Sequence, residues 1–120
     1  MNNLYQAQIL DRSKEPRYRG HVEHPTHKAE GANLSCGDEI NWEAVVHDGT
    51  IATIRHQGRA CAICTASADL LAEAIEGEPL QDIQKWTTEQ VTELIGIPLS
   101  PIRLKCALLP LEALKQLRDS

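Results

Sequence analysis

Apolar and polar positions alternate with a period of two from Asp38 to Gly58, and the rest of the chain is read around that stretch. Ile40, Trp42, Ala44 and Val46 alternate with Asn41, Glu43 and Val45, and Ile51, Thr53 and Arg55 alternate with Ala52, Ile54 and His56. His47-Asp-Gly-Thr50 lies between the two runs, and Asp-Gly in that setting predicts an antiparallel hairpin. Outside it the period lengthens. Leu4, Tyr5, Gln8, Ile9 and Arg12 recur at helical spacing, predicting a helix over 3–14 that Asn2 or Asn3 can cap and Pro16 stops. Residues 16–31 carry Pro16, Gly20, Pro25 and Gly31 without a sustained period and read as a loop or irregular edge strand.

After the hairpin, the Ala- and Leu-rich run from Ala62 to Ile75 predicts a helix ended by Gly77 and Pro79. Leu80, Ile83 and Trp86 suggest a short helix. Thr87 or Thr88 caps a further one, with Val91, Leu94 and Ile95 as its apolar face and Gly96 as its stop. Residues 97–101 form a rigid connector. A last helix, opened by Cys106, carries Leu108, Leu111, Leu114 and Leu117 on one face, where Pro110 is acceptable only near the first turn. The order predicts one α+β domain over 1–120: a small antiparallel sheet of about three strands packed by helices in two layers.

Composition narrows the function classes. With no Phe and 3% aromatic residues, Leu, Ile, Val and Ala must fill the core. Few aromatic platforms and a net charge of −5 speak against nucleic-acid binding. No apolar run is long enough to span a membrane, and the N-terminus lacks the pattern of a signal peptide. A reducing, cytoplasmic location is the default expectation, and there four cysteines mean metal or chemistry more often than disulfides.

Those cysteines flank the hairpin. Cys36 precedes it, with Asp38 two residues on, and Cys61 follows it, so all three groups belong at one end of the sheet. Cys61 and Cys64 fall in the opening turn of a helix, where a thiol is pushed toward thiolate. Cys106 is expected at a helix N-terminus too, with Lys105 beside it as a further positive charge. Three thiolates and a carboxylate suit a tetrahedral metal or one face of an iron–sulfur cluster. The competing reading is that the cysteines are buried and structural. His21, His24 and His27 read as solvated loop residues rather than a metal tract, and His47 and His56 as strand residues without chemistry.

The chain resembles the iron–sulfur cluster assembly scaffolds of the IscU, SufU and NifU N-terminal family. The resemblance rests on Leu4-Tyr5, Ile9-Leu-Asp11, Pro16-Arg17 and Gly20, on Cys36-Gly-Asp38, on Cys61-Ala-Ile63 with Thr65-Ala-Ser67, and on Arg103-Leu-Lys-Cys106. It implies that Cys36, Asp38, Cys61 and Cys106 hold a transient [2Fe–2S] cluster, or Zn²⁺ in its place. It also implies sulfur supply by a pyridoxal-phosphate cysteine desulfurase, with Cys36 and Cys106 as persulfide-accepting candidates assisted by Lys105, and delivery to apo-proteins. Lys105 stands where ISC-type members carry His, as in SufU-like members, whose usual insertion between the second and third cysteines is absent. Leu99-Ser-Pro-Ile-Arg103 replaces the stretch that docks an Hsp70-type chaperone in ISC-type members. Ala60 and Cys64 stand where Gly and Ser are common.

Three functions follow as expectations. The first is a non-enzymatic scaffold that assembles a cluster and hands it on, with Asp38 as the hard, weaker ligand that permits release. The second is a zinc-dependent, SufU-like acceptor of persulfide sulfur. The third, least favoured, is a dithiol redox protein built on Cys61-Ala-Ile-Cys64. For Cys64 itself, packing as a small side chain is preferred over service as a fourth sulfur ligand or as a resolving thiol for a persulfide on Cys61.

Overall fold

The computed structural model describes residues 2–119. In chain order its elements are α1 (Asn2–Lys14), β1 (His27–Asn33), β2 (Asp38–His47), β3 (Thr50–Gln57), α2 (Ala62–Ile75), a 3₁₀ turn (Leu80–Lys85), α3 (Thr88–Ile95), α4 (Pro101–Leu114) and β4 (Arg118–Asp119). The sheet is antiparallel throughout, in the order β3-β2-β1-β4. The α+β class and the layered plan are as predicted. The three expected strands are joined by a two-residue fourth at the edge.

The hairpin forms because alternation and turn chemistry agree. Ile40, Trp42 and Ala44 from β2, with Ile51 and Ile54 from β3, enter the core, while Glu39 stays in water. Asp48 and Gly49 both take positive φ, the conformation a two-residue hairpin turn requires. Segment 16–31 divides differently from the expectation. Its first part is irregular, but His27–Asn33 pairs in unbroken register with β2, from His27 opposite Ala44 to Asn33 opposite Asp38. Period-two hydrophobicity is missing there because small residues face the helices. A Cβ on Gly31 would lie 2.8 Å from that of Ala113, so only glycine lets α4 come this close.

The helices cover one face of the sheet. α2 buries Ile63, Ala66, Leu70, Leu71 and Ile75 and packs on α1, α3 and α4. Thr87 caps α3 through a capping box with Gln90, and Gly96 ends it in the left-handed region, both as the sequence indicates. In α1 only Ile9 and Arg12 of the expected face are buried; Leu4 and Tyr5 remain largely exposed.

The final helix differs most from the reading of the sequence. It starts five residues earlier, at Pro101, with the Ser100 hydroxyl accepting the Arg103 N–H. Ser followed by Pro at the first helical position is a strong start signal. Pro110 therefore sits deep in the helix, where it costs about 3 kcal/mol in lost hydrogen bonding and steric clash. It is buried, and its carbonyl accepts the Trp42 Nε1–H at 3.0 Å, fixing α4 to β2. The helix ends at Leu114, so Leu117 lies beyond it.

Candidate metal centre

Three segments meet at the end of the sheet where β2 begins. The turn between β1 and β2 presents Cys36, the first residue of β2 is Asp38, and α4 brings in Cys106 from a position 70 residues away from Cys36. The Cys36 Sγ lies 3.2 Å from Asp38 Oδ2 and 3.7 Å from the Cys106 Sγ. One ligand atom from each of these three residues falls within 4.8 Å of the others, the separation a single metal ion demands.

Cys61 stands at the rim of this trio. Its N–H donates to Asp38 Oδ1 at 2.9 Å, so one carboxylate receives the Cys36 thiol on one oxygen and the start of α2 on the other. Cys61 is the N-cap of α2, its Sγ accepting the Cys64 N–H at 3.4 Å. The approach to that cap is set by backbone. The Glu39 N–H donates to the Arg59 carbonyl at 2.6 Å, and Gly58 adopts φ +130, with its α-carbon so close to Glu39 that a Cβ would collide with the carbonyl. Glycine's freedom is needed at Gly58; Ala60 is not among the residues with positive φ.

Electrostatics follow from this geometry. Burial alone would raise the pKa of Asp38, yet hydrogen bonds from the Cys36 thiol, the Cys61 N–H and the Cys106 and Cys61 thiols hold its carboxyl below the usual range. The Cys106 thiol is pushed up, first by burial and then by its position beside Asp38, Cys36 and Cys61. That reverses the expectation of a thiol activated at a helix start: Cys106 lies mid-helix, and Lys105 is exposed to solvent. Burial likewise pushes the Cys64 thiol up, reinforced by the negative charge of Asp38 and the other thiols. Cys36 and Cys61 are exposed and Cys64 and Cys106 are buried, so the cluster has an open side. There an open groove of about 550 Å³ runs from Ile9 and Leu10 past Ile63 to Ile97 and Arg103, with Cys61 and Cys106 in its wall.

Of the predicted donors, Cys36, Asp38 and Cys106 are brought together, and Cys61 reaches them through its backbone N–H to Asp38. The histidines stay outside: His21 and His24 are exposed, 76% and 91% at the side chain. His56 lies in β3, as the sequence indicates, but not at its surface. It is buried, and its Nε2–H donates to Asp69 Oδ1 at 2.9 Å. Asp69 also accepts the N–H groups of Arg17 and Tyr18, at 3.0 and 2.7 Å, and the Arg12 guanidinium at 2.9 Å. Arg12 in turn pairs with Glu73. This buried hub ties α1 and the irregular segment after it to α2 and β3. An Asp in mid-run among Ala66, Ala68, Leu70 and Leu71 was the available signal, because a carboxylate on a buried face requires partners.

Known proteins place the chain. It is 33% identical, over 94% of its length and 91% of the relative's, to the iron–sulfur cluster assembly scaffold protein IscU of Thermotoga maritima. It is 26% identical, over 97% of its length and 90% of the relative's, to the zinc-dependent sulfurtransferase SufU of Bacillus subtilis. The fold superposes with a TM-score of 0.81 on the crystal structure of a putative iron–sulfur cluster assembly scaffold protein for the SUF system from Fervidobacterium islandicum, at 28% identity and 96% coverage of both chains. With the family model of the NifU-like N-terminal domain matching residues 4–117, the chain belongs to the NifU-like N-terminal domain family.

Proposed function

We propose that the protein is a scaffold on which an iron–sulfur cluster, of the [2Fe–2S] type, is assembled and then released to apo-proteins. The observation that carries this reading is the convergence of Cys36, Asp38 and Cys106, with Cys61 at their rim, on one open-sided site. Cys36, Cys61 and Cys106 supply the soft thiolates that hold iron and Asp38 the harder oxygen ligand. The cluster is cargo, and the design suits cargo: binding displaces protons from thiols, while a carboxylate ligand eases departure. The relatives named as scaffold proteins support a role without turnover chemistry. Sulfur comes from a cysteine desulfurase, and the exposed Cys36 is the first acceptor, with Cys106 in contact behind it.

A second reading has its own support. Three thiolates and a carboxylate also make a closed tetrahedral site for Zn²⁺, and one relative is named a zinc-dependent sulfurtransferase. One experiment separates the two. The purified chain is incubated anaerobically with iron, a cysteine desulfurase and cysteine, and then followed by visible spectroscopy, metal analysis and transfer to an apo-ferredoxin. Scaffolding predicts a cluster chromophore on the chain that passes to the ferredoxin. A chain that keeps zinc, acquires only persulfide and never colours supports the sulfurtransferase and overturns the scaffold.

A further inference from the structure

The site holds one thiol more than its ligand set needs. Cys64 has no solvent exposure and lies in the first turn of α2, three residues beyond Cys61. The two residues occupy the N-cap and N3 positions, whose side chains lie side by side in a capping box. Here half of that box exists, since the Cys64 N–H donates to the Cys61 Sγ at 3.4 Å. The other half, the N-cap N–H, is given to Asp38 rather than to the Cys64 sulfur. A Cys-X-X-Cys pair opening a helix closes into a disulfide with little backbone movement, one sulfur exposed and the other covered.

We propose that Cys61 and Cys64 form a dithiol that reduces sulfane sulfur to sulfide at the metal centre. The proposal rests on the sulfur-receiving role given above. A cluster contains sulfide, whereas a persulfide donor delivers sulfur two electrons more oxidised. Cys61 is exposed, and the sulfane sulfur received at Cys36 passes to it by way of Cys106, which neighbours both. The Cys64 sulfur then attacks the Cys61 Sγ. The bond from Cys61 to the outer sulfur breaks, and its electron pair leaves with that sulfur, which carries off the Cys64 proton as HS⁻. The products are one sulfide and one Cys61–Cys64 disulfide; the outer sulfur is reduced and the two cysteine sulfurs are oxidised. Cys36, Asp38 and Cys106 remain free to hold iron beside the released sulfide. An external dithiol reductant of the thioredoxin class resets the pair.

The test uses the full chain, reduced and metal-free, in wild-type, Cys64→Ser and Cys64→Ala forms, the last keeping a small apolar side chain in the buried position. Each is loaded with glutathione persulfide under anaerobic conditions, desalted, and followed by intact mass, disulfide mapping and sulfide assay. The wild type is expected to lose the added sulfur atom, release one sulfide per chain and end with a Cys61–Cys64 disulfide. Both variants are expected to retain the persulfide and release sulfide at least about tenfold more slowly. Equal sulfide release from the variants, or a wild-type disulfide between Cys36 and Cys106, would overturn the proposal. Zinc titration of the same three proteins reads the metal site separately. Tight binding by all three supports a Cys64 thiol that acts on sulfur without being a metal ligand, whereas zinc binding lost in the Cys64 variants makes it a ligand and overturns the proposal.

Discussion

Replacing Asp69 by Asn is the sharpest perturbation of the scaffold that leaves the metal ligands untouched. Asp69 is fully buried and receives four donors: the Arg12 guanidinium, the Arg17 and Tyr18 N–H groups and His56. An amide keeps the shape but removes the charge and turns one acceptor oxygen into a donor, which then faces a donor. Removing one partner of a buried ion pair costs about 3–5 kcal/mol. Because Glu73 still faces Arg12, the lower end of that range, about 3 kcal/mol, is expected. The loss should appear as a lower urea midpoint with an unchanged m-value, and a melting temperature roughly 10 °C lower. A second, independent number comes from pH. Burial would raise the Asp69 pKa, but His56, the two N–H groups and Arg12 lower it to about 2 from 3.8. A depressed carboxylate stabilises the fold above its unfolded value and loses that contribution as pH falls from about 4 toward 2. The shift is worth roughly 2 kcal/mol. Wild-type stability should therefore fall through this window and the Asn variant's should fall less steeply. A variant within about 0.5 kcal/mol of wild type at neutral pH, with the same acid branch, would refute the hub as a structural keystone.

Two further outcomes bear on the site. Replacing Gly58 by Ala forces a collision with the Glu39 carbonyl at φ +130, so α2 and its Cys61 cap should shift and zinc affinity should fall at least about tenfold, read by competition with a chromogenic chelator. Replacing Asp38 by Ala should leave a cluster that still forms but passes to an apo-ferredoxin more slowly, because only thiolates then hold it; transfer at the wild-type rate would remove Asp38 as the release point.

Much of the fold was legible because several signals agreed. The β2–β3 hairpin combined alternation with Asp48-Gly49, and α3 combined a Thr cap, an apolar face and a glycine stop. β1 was illegible as a regular strand because Gly31, Ala29 and Ala32 carry too little hydrophobicity to show a period; close packing on α4 replaces it. The start of α4 was misplaced because Pro110 argued for a first turn nearby, while its cost is met by burial and by Trp42 on its carbonyl. That error carried over to Cys106, read as an activated thiol at a helix end and found in mid-helix with its pKa raised. The meeting of Cys36, Asp38 and Cys61 was readable from a hairpin returning to its origin. Cys106 was counted with them as a further thiolate, yet no local pattern tells which sheet end a distant helix reaches, and the motif resemblance supplied that. The Arg12, His56 and Asp69 hub was invisible as a unit because its members are up to 57 residues apart.

The donor set is tested most directly by titrating the metal-free chain with cobalt(II) and recording the sulfur-to-cobalt charge-transfer absorption, whose intensity grows with the number of thiolates bound. Wild type and Cys64→Ser should give equal intensity, that of three thiolates. The Cys36→Ser, Cys61→Ser and Cys106→Ser variants should each lose about a third of it, and metal affinity with it. A Cys61→Ser variant matching wild type, with Cys64→Ser falling by that amount instead, would contradict the assignment of Cys36, Asp38, Cys61 and Cys106 as the metal centre.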